Sequence, residues 1–196
     1  MSHKNARPNK FVESFINQMD GKGRLKILDV GCHIGTNTIQ MARLGHHVMG
    51  VSIDDEDIEI ARKQARRNGL SNCSFETMDA RDLKSKFDSG FFNAVLVSDM
   101  LHEMDKADSI ATIDAVKTLT APKGLNAIRG YLVDPHNSIS ERNIERMFQP
   151  DELRVTYDAD PNWRVLDSTE DVFTPIVHNG RERVSSHADV IAQKRI

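Results

Sequence analysis

Short apolar runs alternate with helical patterns along most of the chain, and this alternation constrains the fold more than any other feature. Strand-like runs occupy residues 25–30, 47–52, 73–78, 91–98 and 125–133. Helical patterns occupy residues 9–20, 36–44, 54–68 and about 106–119. Strands that are separated by helices of this length pair in parallel through right-handed crossovers. The pattern therefore predicts a doubly wound α/β sheet.

The last third of the chain follows a different pattern. A helical stretch at residues 139–157 is interrupted at Pro150, and two strand candidates follow at 163–168 and 183–193. No helix separates these two candidates, so they should pair antiparallel. The prediction is a Rossmann-like, doubly wound, seven-stranded and mostly parallel sheet with an antiparallel C-terminal strand. Since no internal repeat or linker interrupts the pattern, residues 1–196 are expected to form a single domain.

Composition and charge exclude several classes of protein. The formal net charge is −3, which argues against a broad electrostatic grip on nucleic acid. Cys32 and Cys73 form no CxxC pair, so we expect neither a disulfide framework nor a metal site. The polar N-terminus does not resemble a signal peptide, and no apolar stretch approaches the ~20 residues needed to cross a bilayer. We expect a cytoplasmic monomer or homodimer with neither a nucleic-acid nor a membrane partner.

A glycine loop follows the first predicted strand. Gly31 and Gly35 lie four residues apart between this strand and the next helix. Such a loop lets the backbone approach a ligand closely and leaves helix N–H groups facing it. The dinucleotide pattern G-x-G-x-x-G is not met, because His33 stands where a middle glycine is expected. Asp29, just before the loop, is suited to anchoring the ammonium of an amino-acid moiety.

The segment Leu-Asp-Val-Gly-Cys-His-Ile-Gly at 28–35 resembles motif I of the class I S-adenosylmethionine-dependent methyltransferases, usually D-x-G-x-G-x-G. Three further segments follow in the family's order. Residues 75–82 resemble the segment that reaches the adenine, 92–98 the fourth strand, and 119–124 the turn before the fifth strand. The resemblance implies a methyltransferase with S-adenosylmethionine as its cofactor.

A second resemblance lies outside the cofactor segments. Phe148, Glu152-Leu153-Arg154, Tyr157, Trp163 and Glu170 follow the spacing F-x-x-x-E-L-R-x-x-Y…W…E of the tellurite-resistance methyltransferases. This resemblance implies a small-molecule methyl acceptor, with tellurite, selenite or a thiol as candidates. Such soft nucleophiles need no general base, and the sequence offers no convincing catalytic dyad.

The family resemblance also implies a set of cofactor contacts. Asp79 takes the position of the acid that reaches the adenine amino group, and Ala80 lies beside it. Ser52 stands where the family usually has an acid that holds the ribose hydroxyls, which implies weaker cofactor binding. Asp54 follows two residues later, where we favour a helix cap over a ribose contact. The expected contacts are Asp29, Gly31, Cys32, Gly35, Thr36, Asn37, Ser52, Ile53, Asp79, Ala80 and Ser98.

Three alternatives remain open at this stage. An O- or N-methyltransferase of a small metabolite would require a base near the methyl group, and His102 is the first candidate, with simple packing at a helix start as its equal alternative. A non-catalytic S-adenosylmethionine-binding protein is suggested by Ser52 and by His33 in the glycine loop. A nucleotide-dependent oxidoreductase is disfavoured by the missing glycine.

Overall fold

A central sheet of seven strands organises the computed structural model, which describes residues 10–133, 141–178 and 181–196. In chain order the strands are β1 (Lys26–Val30), β2 (His47–Ser52), β3 (Cys73–Thr77), β4 (Phe92–Val97), β5 (Thr120–Tyr131), β6 (Trp163–His178) and β7 (Arg181–Lys194). The α-helices are α1 (Lys10–Met19), α2 (Thr36–Arg43), α3 (Asp55–Arg67), α4 (Leu83–Lys86), α5 (Lys106–Leu119) and α6 (Glu152–Asp158).

The strand order in the sheet is β3-β2-β1-β4-β5-β7-β6. The first five strands pair in parallel, whereas β7 pairs antiparallel with both β5 and β6. The predicted mostly parallel sheet and its antiparallel ending are therefore confirmed. The order reverses between β1 and β4, and in doubly wound sheets ligands bind at such a reversal, beyond the carboxyl ends of the strands.

Two apolar layers cover the sheet. Successive side chains of a strand point to opposite faces, so Ile27 packs with α1 and α2 while Leu28 packs on the other face with α5. A central parallel strand must be apolar on both faces, and β4 is buried along nearly its whole length. None of the described helices is long and apolar enough to cross a membrane.

Most predicted elements have the observed boundaries to within one or two residues, but three predictions were inaccurate. Strand β5 begins at Thr120, five residues before its predicted start, and contains the segment 122–124 that was predicted as a turn. The helical stretch at 139–157 contains a short 3₁₀-helix at Glu141–Arg146 and then α6, while 139–140 lie outside the described residues. Strand β6 continues to His178, ten residues beyond its predicted end at 168. Its extension carries acidic residues that do not alternate with apolar ones, and pairing with β7 supplies the order that this pattern lacks.

Candidate functional site

A cavity of about 640 Å³ lies at the carboxyl ends of β1 to β4, where the strand order reverses. Its wall combines apolar, acidic and methionine side chains with two arginines. The lining residues are Val30, Gly31, His33, Val51, Ser52, Ile53, Asp54, Asp57, Met78, Asp79, Ala80, Arg81, Asp99, Met100, Glu103, Met104, Asp105, Asp108 and Arg146. Five of the eleven expected cofactor contacts lie in this wall, namely Gly31, Ser52, Ile53, Asp79 and Ala80.

The glycine loop forms the part of the wall that follows β1. Gly31 and Gly35 have φ angles of 74° and 82°, in the left-handed region that favours glycine. A Cβ atom on Gly31 would lie 2.7 Å from Cβ and Cγ of Met100, across the cavity floor. A Cβ atom on Gly35 would lie 2.7 Å from the ring of Phe75. Gly31 therefore shapes the cavity, whereas Gly35 allows α2 to pack closely against β3.

Asp29 is buried in β1 and does not line the cavity. Thr38 on α2 donates a hydrogen bond from Oγ1 to Asp29 Oδ2 at 2.6 Å. Burial raises the pKa of the carboxyl from 3.8 to about 6, and the hydrogen bond from Thr38 opposes part of that rise. In this structure Asp29 joins the end of β1 to the first turns of α2, directly behind the glycine loop.

The segment at the end of β2 contains Ser52 and Asp54, the two candidates for the ribose contact. Asp54 Oδ1 accepts hydrogen bonds from the backbone N–H groups of Glu56 at 2.8 Å and Asp57 at 3.2 Å. The interpretation of Asp54 as the N-cap of α3 is therefore confirmed. Ser52 and Ile53 lie in the cavity wall. Ser52 Oγ is 3.4 Å from the backbone nitrogen of Asp54.

An ion pair closes the cavity on the β3 side. Asp79 accepts hydrogen bonds from Arg81 Nε at 3.0 Å and Nη2 at 2.5 Å, a two-pronged arrangement that favours the carboxylate. These bonds hold the pKa of Asp79 below its ordinary value. Arg81 Nη1 also lies 3.5 Å from Asp108 on α5. Sequence reasoning identified Asp79 but missed Arg81, although the Asp-x-Arg spacing was visible.

The remaining expected contacts do not line the cavity. Cys32 is buried, its Sγ lies 3.6 Å from the carbonyl oxygen of His33, and burial raises the pKa of its thiol. Thr36 and Asn37 begin α2, and Thr36 is exposed. Ser98, at the end of β4, donates a hydrogen bond from Oγ to Asp99 Oδ2 at 2.8 Å.

His102 lies beside the cavity, in a short 3₁₀-helix at Leu101–Glu103. Its Nε2 is 3.0 Å from Glu103 Oε1, and its ring meets the ring of Tyr131 edge-on, with centroids 4.3 Å apart. Burial lowers the pKa of the imidazole, while the charges of Glu103 and Asp99 oppose that effect. Among the described residues, nothing hydrogen-bonds to its buried Nδ1.

Comparison with known families identifies this arrangement. The model of a family described as a methyltransferase domain matches residues 27–124, which run from β1 through the turn inside β5. This range covers half of the chain and contains all of the described cavity-lining residues except Arg146. The chain belongs to this methyltransferase family. The expectation of a methyltransferase domain is thereby confirmed.

Curated relatives of this methyltransferase domain include O-methyltransferases. A ubiquinone biosynthesis O-methyltransferase of Actinobacillus pleuropneumoniae is 32% identical over 117 residues, covering 59% of this chain and 48% of that protein. The O-methyltransferase cnsE of Penicillium expansum is 35% identical over 92 residues, covering 46% of this chain and 33% of that protein. The chain thus spans about half the length of the curated relatives it matches, or less.

Solved structures share the fold at low sequence identity. TehB from Haemophilus influenzae superposes with a TM-score of 0.79 at 18% identity, covering 93% of this chain and 62% of TehB. The magnesium protoporphyrin IX methyltransferase ChlM from Synechocystis, solved with bound S-adenosylmethionine, superposes with a TM-score of 0.69 at 16% identity, covering 94% of this chain and 78% of ChlM.

In the described parts of the chain, no cluster of three or more His, Cys, Asp or Glu could hold a metal ion.

Proposed function

We propose that the domain binds S-adenosylmethionine in the cavity at the ends of β1 to β4 and transfers its methyl group to a small-molecule acceptor. The observation that carries the proposal is the position of Gly31. It lies in the cavity wall, in a left-handed conformation, with no room for a Cβ atom in front of Met100. A backbone exposed in this way at the strand-order reversal suits a nucleotide-like ligand.

The charge of the cavity wall supports a cationic ligand. Among the residues that the structure describes, seven carboxylates and two arginines line the cavity. Both arginines already have carboxylate partners, since Arg81 pairs with Asp79 and Arg146 lies 3.2 Å from Asp105. S-adenosylmethionine carries a sulfonium and an ammonium, and a negative wall raises the local concentration of such a ligand. The cofactor supplies the electrophilic methyl group, and this chain supplies alignment and a site that excludes water.

Two acceptor classes have support. The names of the curated relatives favour an oxygen acceptor on a small molecule. The structural similarity to TehB and the C-terminal sequence pattern favour tellurite, selenite or a thiol instead. An oxyanion would enter a cavity that is rich in carboxylates and in which both arginines are already paired. We therefore favour the hydroxyl acceptor and keep the chalcogen acceptor as the second candidate.

A cytoplasmic location and a monomeric or homodimeric state stay predictions.

Calorimetric titration tests the proposal. Wild-type protein should bind S-adenosylmethionine and S-adenosylhomocysteine at one site and should give no signal with NAD. Gly31→Ala should weaken both affinities at least tenfold, because the new methyl group collides with Met100. Gly69→Ala is the matched control, since Gly69 also has a positive φ of 65° but has open space around its Cα. Absence of binding at millimolar cofactor would contradict the proposal. Binding of S-adenosylmethionine without formation of S-adenosylhomocysteine in the presence of the candidate acceptors would instead favour the non-catalytic alternative.

A further inference from the structure

Four polar and aromatic side chains adjoin the cofactor cavity on its β4–β5–β7 side. They are Asp99, His102, Tyr131 and His187, here called the polar cluster. Tyr131 and His187 are register partners on β5 and β7, and their ring centroids lie 4.7 Å apart. The ring of His102 packs edge-on against the ring of Tyr131. Asp99 lies 3.8 Å from His187, between its Oδ1 and Nε2, and also lines the cavity. The cluster is therefore continuous with the cavity wall.

Two buried acceptor atoms of this cluster have no hydrogen-bond partner. They are Asp99 Oδ1 and His102 Nδ1, and among the side chains that the structure describes (residues 10–133, 144–171 and 186–196) no other buried nitrogen or oxygen lacks a partner. Each such atom costs about 1–3 kcal/mol, so two in one place require an explanation. Asp99 also has a φ of 58°, which is strained for a residue with a side chain. Unsatisfied groups and backbone strain together are typical of a ligand site.

Both atoms lack a donor rather than an acceptor. His102 uses Nε2 to contact Glu103 Oε1 at 3.0 Å, so its proton lies on Nε2 and its lone pair on Nδ1. Burial favours the neutral form of this imidazole, because it lowers the pKa of His102 from its ordinary value. Asp99 Oδ2 accepts from Ser98, which leaves Oδ1 as the open position. A ligand that satisfies the cluster must therefore bring hydrogen-bond donors.

The described charges around the cluster favour a neutral ligand over an anionic one. Arg129 lies two residues from Tyr131 on β5, and its guanidinium is bound to Asp189 through two contacts of 2.6 Å each. This arginine is therefore neutralised, while the charge of Asp99 is not. A neutral molecule with a hydroxyl group, and a flat apolar body to pack against Tyr131, matches what the described side chains offer.

We infer that the polar cluster is the methyl-acceptor subsite, that it takes a neutral hydroxyl compound of the phenol type, and that His102 Nδ1 accepts the hydroxyl proton. The inference rests on the proposed function. The acceptor oxygen forms its new bond to the methyl carbon, the carbon–sulfur bond breaks, and its electron pair goes to the sulfur. The hydroxyl proton passes to His102 Nδ1 and later to solvent. A second hydroxyl group of the acceptor, as in a catechol, donates a hydrogen bond to Asp99 Oδ1, and this carboxylate faces the positive charge that forms on the imidazole.

Glu103 and Tyr131 are positioning residues in this scheme. Glu103 fixes the tautomer of His102 through Nε2, and Tyr131 fixes the ring plane by edge-on contact. The charged or titratable groups that face His102 are Glu103, Asp99, Tyr131 and His187. A base of lowered pKa predicts a rate that is constant at neutral pH and falls on acidification, as His102 becomes protonated.

The test uses 4-nitrophenol and 4-nitrocatechol, whose absorbance reports ionisation of the hydroxyl group. Wild-type protein saturated with S-adenosylhomocysteine should bind a probe and shift its spectrum toward the ionised form at a pH where the free probe is neutral. With S-adenosylmethionine, the same probe should be methylated. His102→Gln should lose the spectral shift, lower kcat about 100-fold, and lose the acidic limb of the pH profile. Asp99→Asn should raise KM more than it lowers kcat. His47→Gln, on an exposed histidine of β2, is the control and should match the wild type.

The outcomes separate the two proposals. If calorimetry shows no cofactor binding by the wild type, the proposed function fails and the inference falls with it. If the cofactor binds but neither phenol is bound or methylated, or if tellurite, selenite or a thiol is methylated while the phenols are not, the acceptor inference alone is overturned. The same holds if His102→Gln and Asp99→Asn turn over a phenol at wild-type rates with an unchanged pH profile.

Discussion

Asp29 holds a carboxylate inside the sheet with a single hydroxyl donor, Thr38, as its side-chain partner. Its pKa is about 6 in the folded protein, above the value of 3.8 for the free side chain. As pH rises from 4 to 6, the unfolded chain loses this proton before the folded chain does. Folding stability from this group is therefore complete below pH 4 and is lost up to pH 6, by about 3 kcal/mol.

Asp29→Asn should remove this loss. Relative to wild type, the variant should gain about 3 kcal/mol between pH 4 and pH 7, because the amide does not titrate and any constant offset cancels. Urea unfolding of both proteins across this range measures the difference. Asp114→Asn, at an exposed site on α5, is the control and should show no comparable gain. A stability difference independent of pH would contradict this expectation.

If Asp29 also contacts the cofactor, the stabilised variant should bind S-adenosylmethionine more weakly, because stability and function often conflict at a binding site.

A substitution at Ser52 should strengthen cofactor binding. It lies in the cavity wall where the family resemblance implies an acid for the ribose hydroxyls, and Asp54 is already engaged as a helix cap. Ser52→Asp should tighten S-adenosylmethionine binding roughly fivefold, since a charge-assisted hydrogen bond is worth about 1 kcal/mol more than a neutral one. Ser52→Asn has nearly the same shape without the charge and should give little or no gain. Calorimetry decides, and weaker binding by the aspartate variant would show that the existing carboxylates repel a further one.

At the scale of single residues, the sequence located five residues of the cavity wall, whereas most of the glycine loop that it also selected lies outside that wall. Gly31, Ser52, Ile53, Asp79 and Ala80 line the cavity, because each lies at the carboxyl end of a parallel strand or within three residues after it. Asp99 follows β4 by two residues, as Asp79 follows β3, but no sequence pattern distinguished it. Its importance depends on a strained backbone and on an oxygen without a donor, and both features arise only when β4, β5 and β7 come together.

Helix α6 is held to the sheet by a buried hydrogen-bond chain. Thr120 donates to Asn126 Oδ1 at 2.5 Å, and Asn126 Nδ2 donates to the hydroxyl of Tyr157 at 3.0 Å. All three residues are fully buried. Tyr157→Phe should destabilise the domain by about 1–3 kcal/mol, because it leaves an amide N–H without an acceptor. Val155→Ala, at a half-exposed position of the same helix, should cost under about 0.5 kcal/mol. Equal urea midpoints for the two variants would show that the chain of hydrogen bonds contributes nothing net.

Sequence periodicity located best the strands and helices of the parallel part of the fold. Strand β2 and helix α5 have their predicted boundaries, since burial on regular faces forces a regular pattern. Strand β6 was predicted too short because its second half is a β-hairpin extension with mixed polarity. Its register with β7 shifts between Asp171 and Thr174, so no single alternation runs through it. Long-range pairing decides that segment, and pairing of this kind is not visible in local sequence.

For the whole molecule, the strand order explains why the site could be located before its contacts were known. Strands β1 and β4 lie side by side, although 61 residues lie between Val30 and Phe92 in the chain. The loops that follow these two strands lead to opposite faces of the sheet. The fold therefore opens a cleft there whatever the loops contain. The acceptor side is less constrained, because residues from β4, β5 and β7 must converge from three distant segments.

Coupling between the site and the fold gives the last prediction. A ligand that binds only the folded chain stabilises it by about 2.7 kcal/mol at 100 times its Kd, which raises the Tm of a domain of this size by roughly 5–10 °C. S-adenosylmethionine and S-adenosylhomocysteine should both produce this shift, and NAD at the same concentration should not. At the same ligand concentration Gly31→Ala should reduce the shift to half or less, as a tenfold or greater loss of affinity requires, whereas Gly69→Ala should keep it, since only the first glycine faces Met100. Thermal scans at several ligand concentrations check that the shift grows with the logarithm of concentration, as linkage requires. A shift that survives in Gly31→Ala would place the ligand elsewhere on the molecule, and the carboxyl ends of β1 to β4 would then be a cleft without a cofactor.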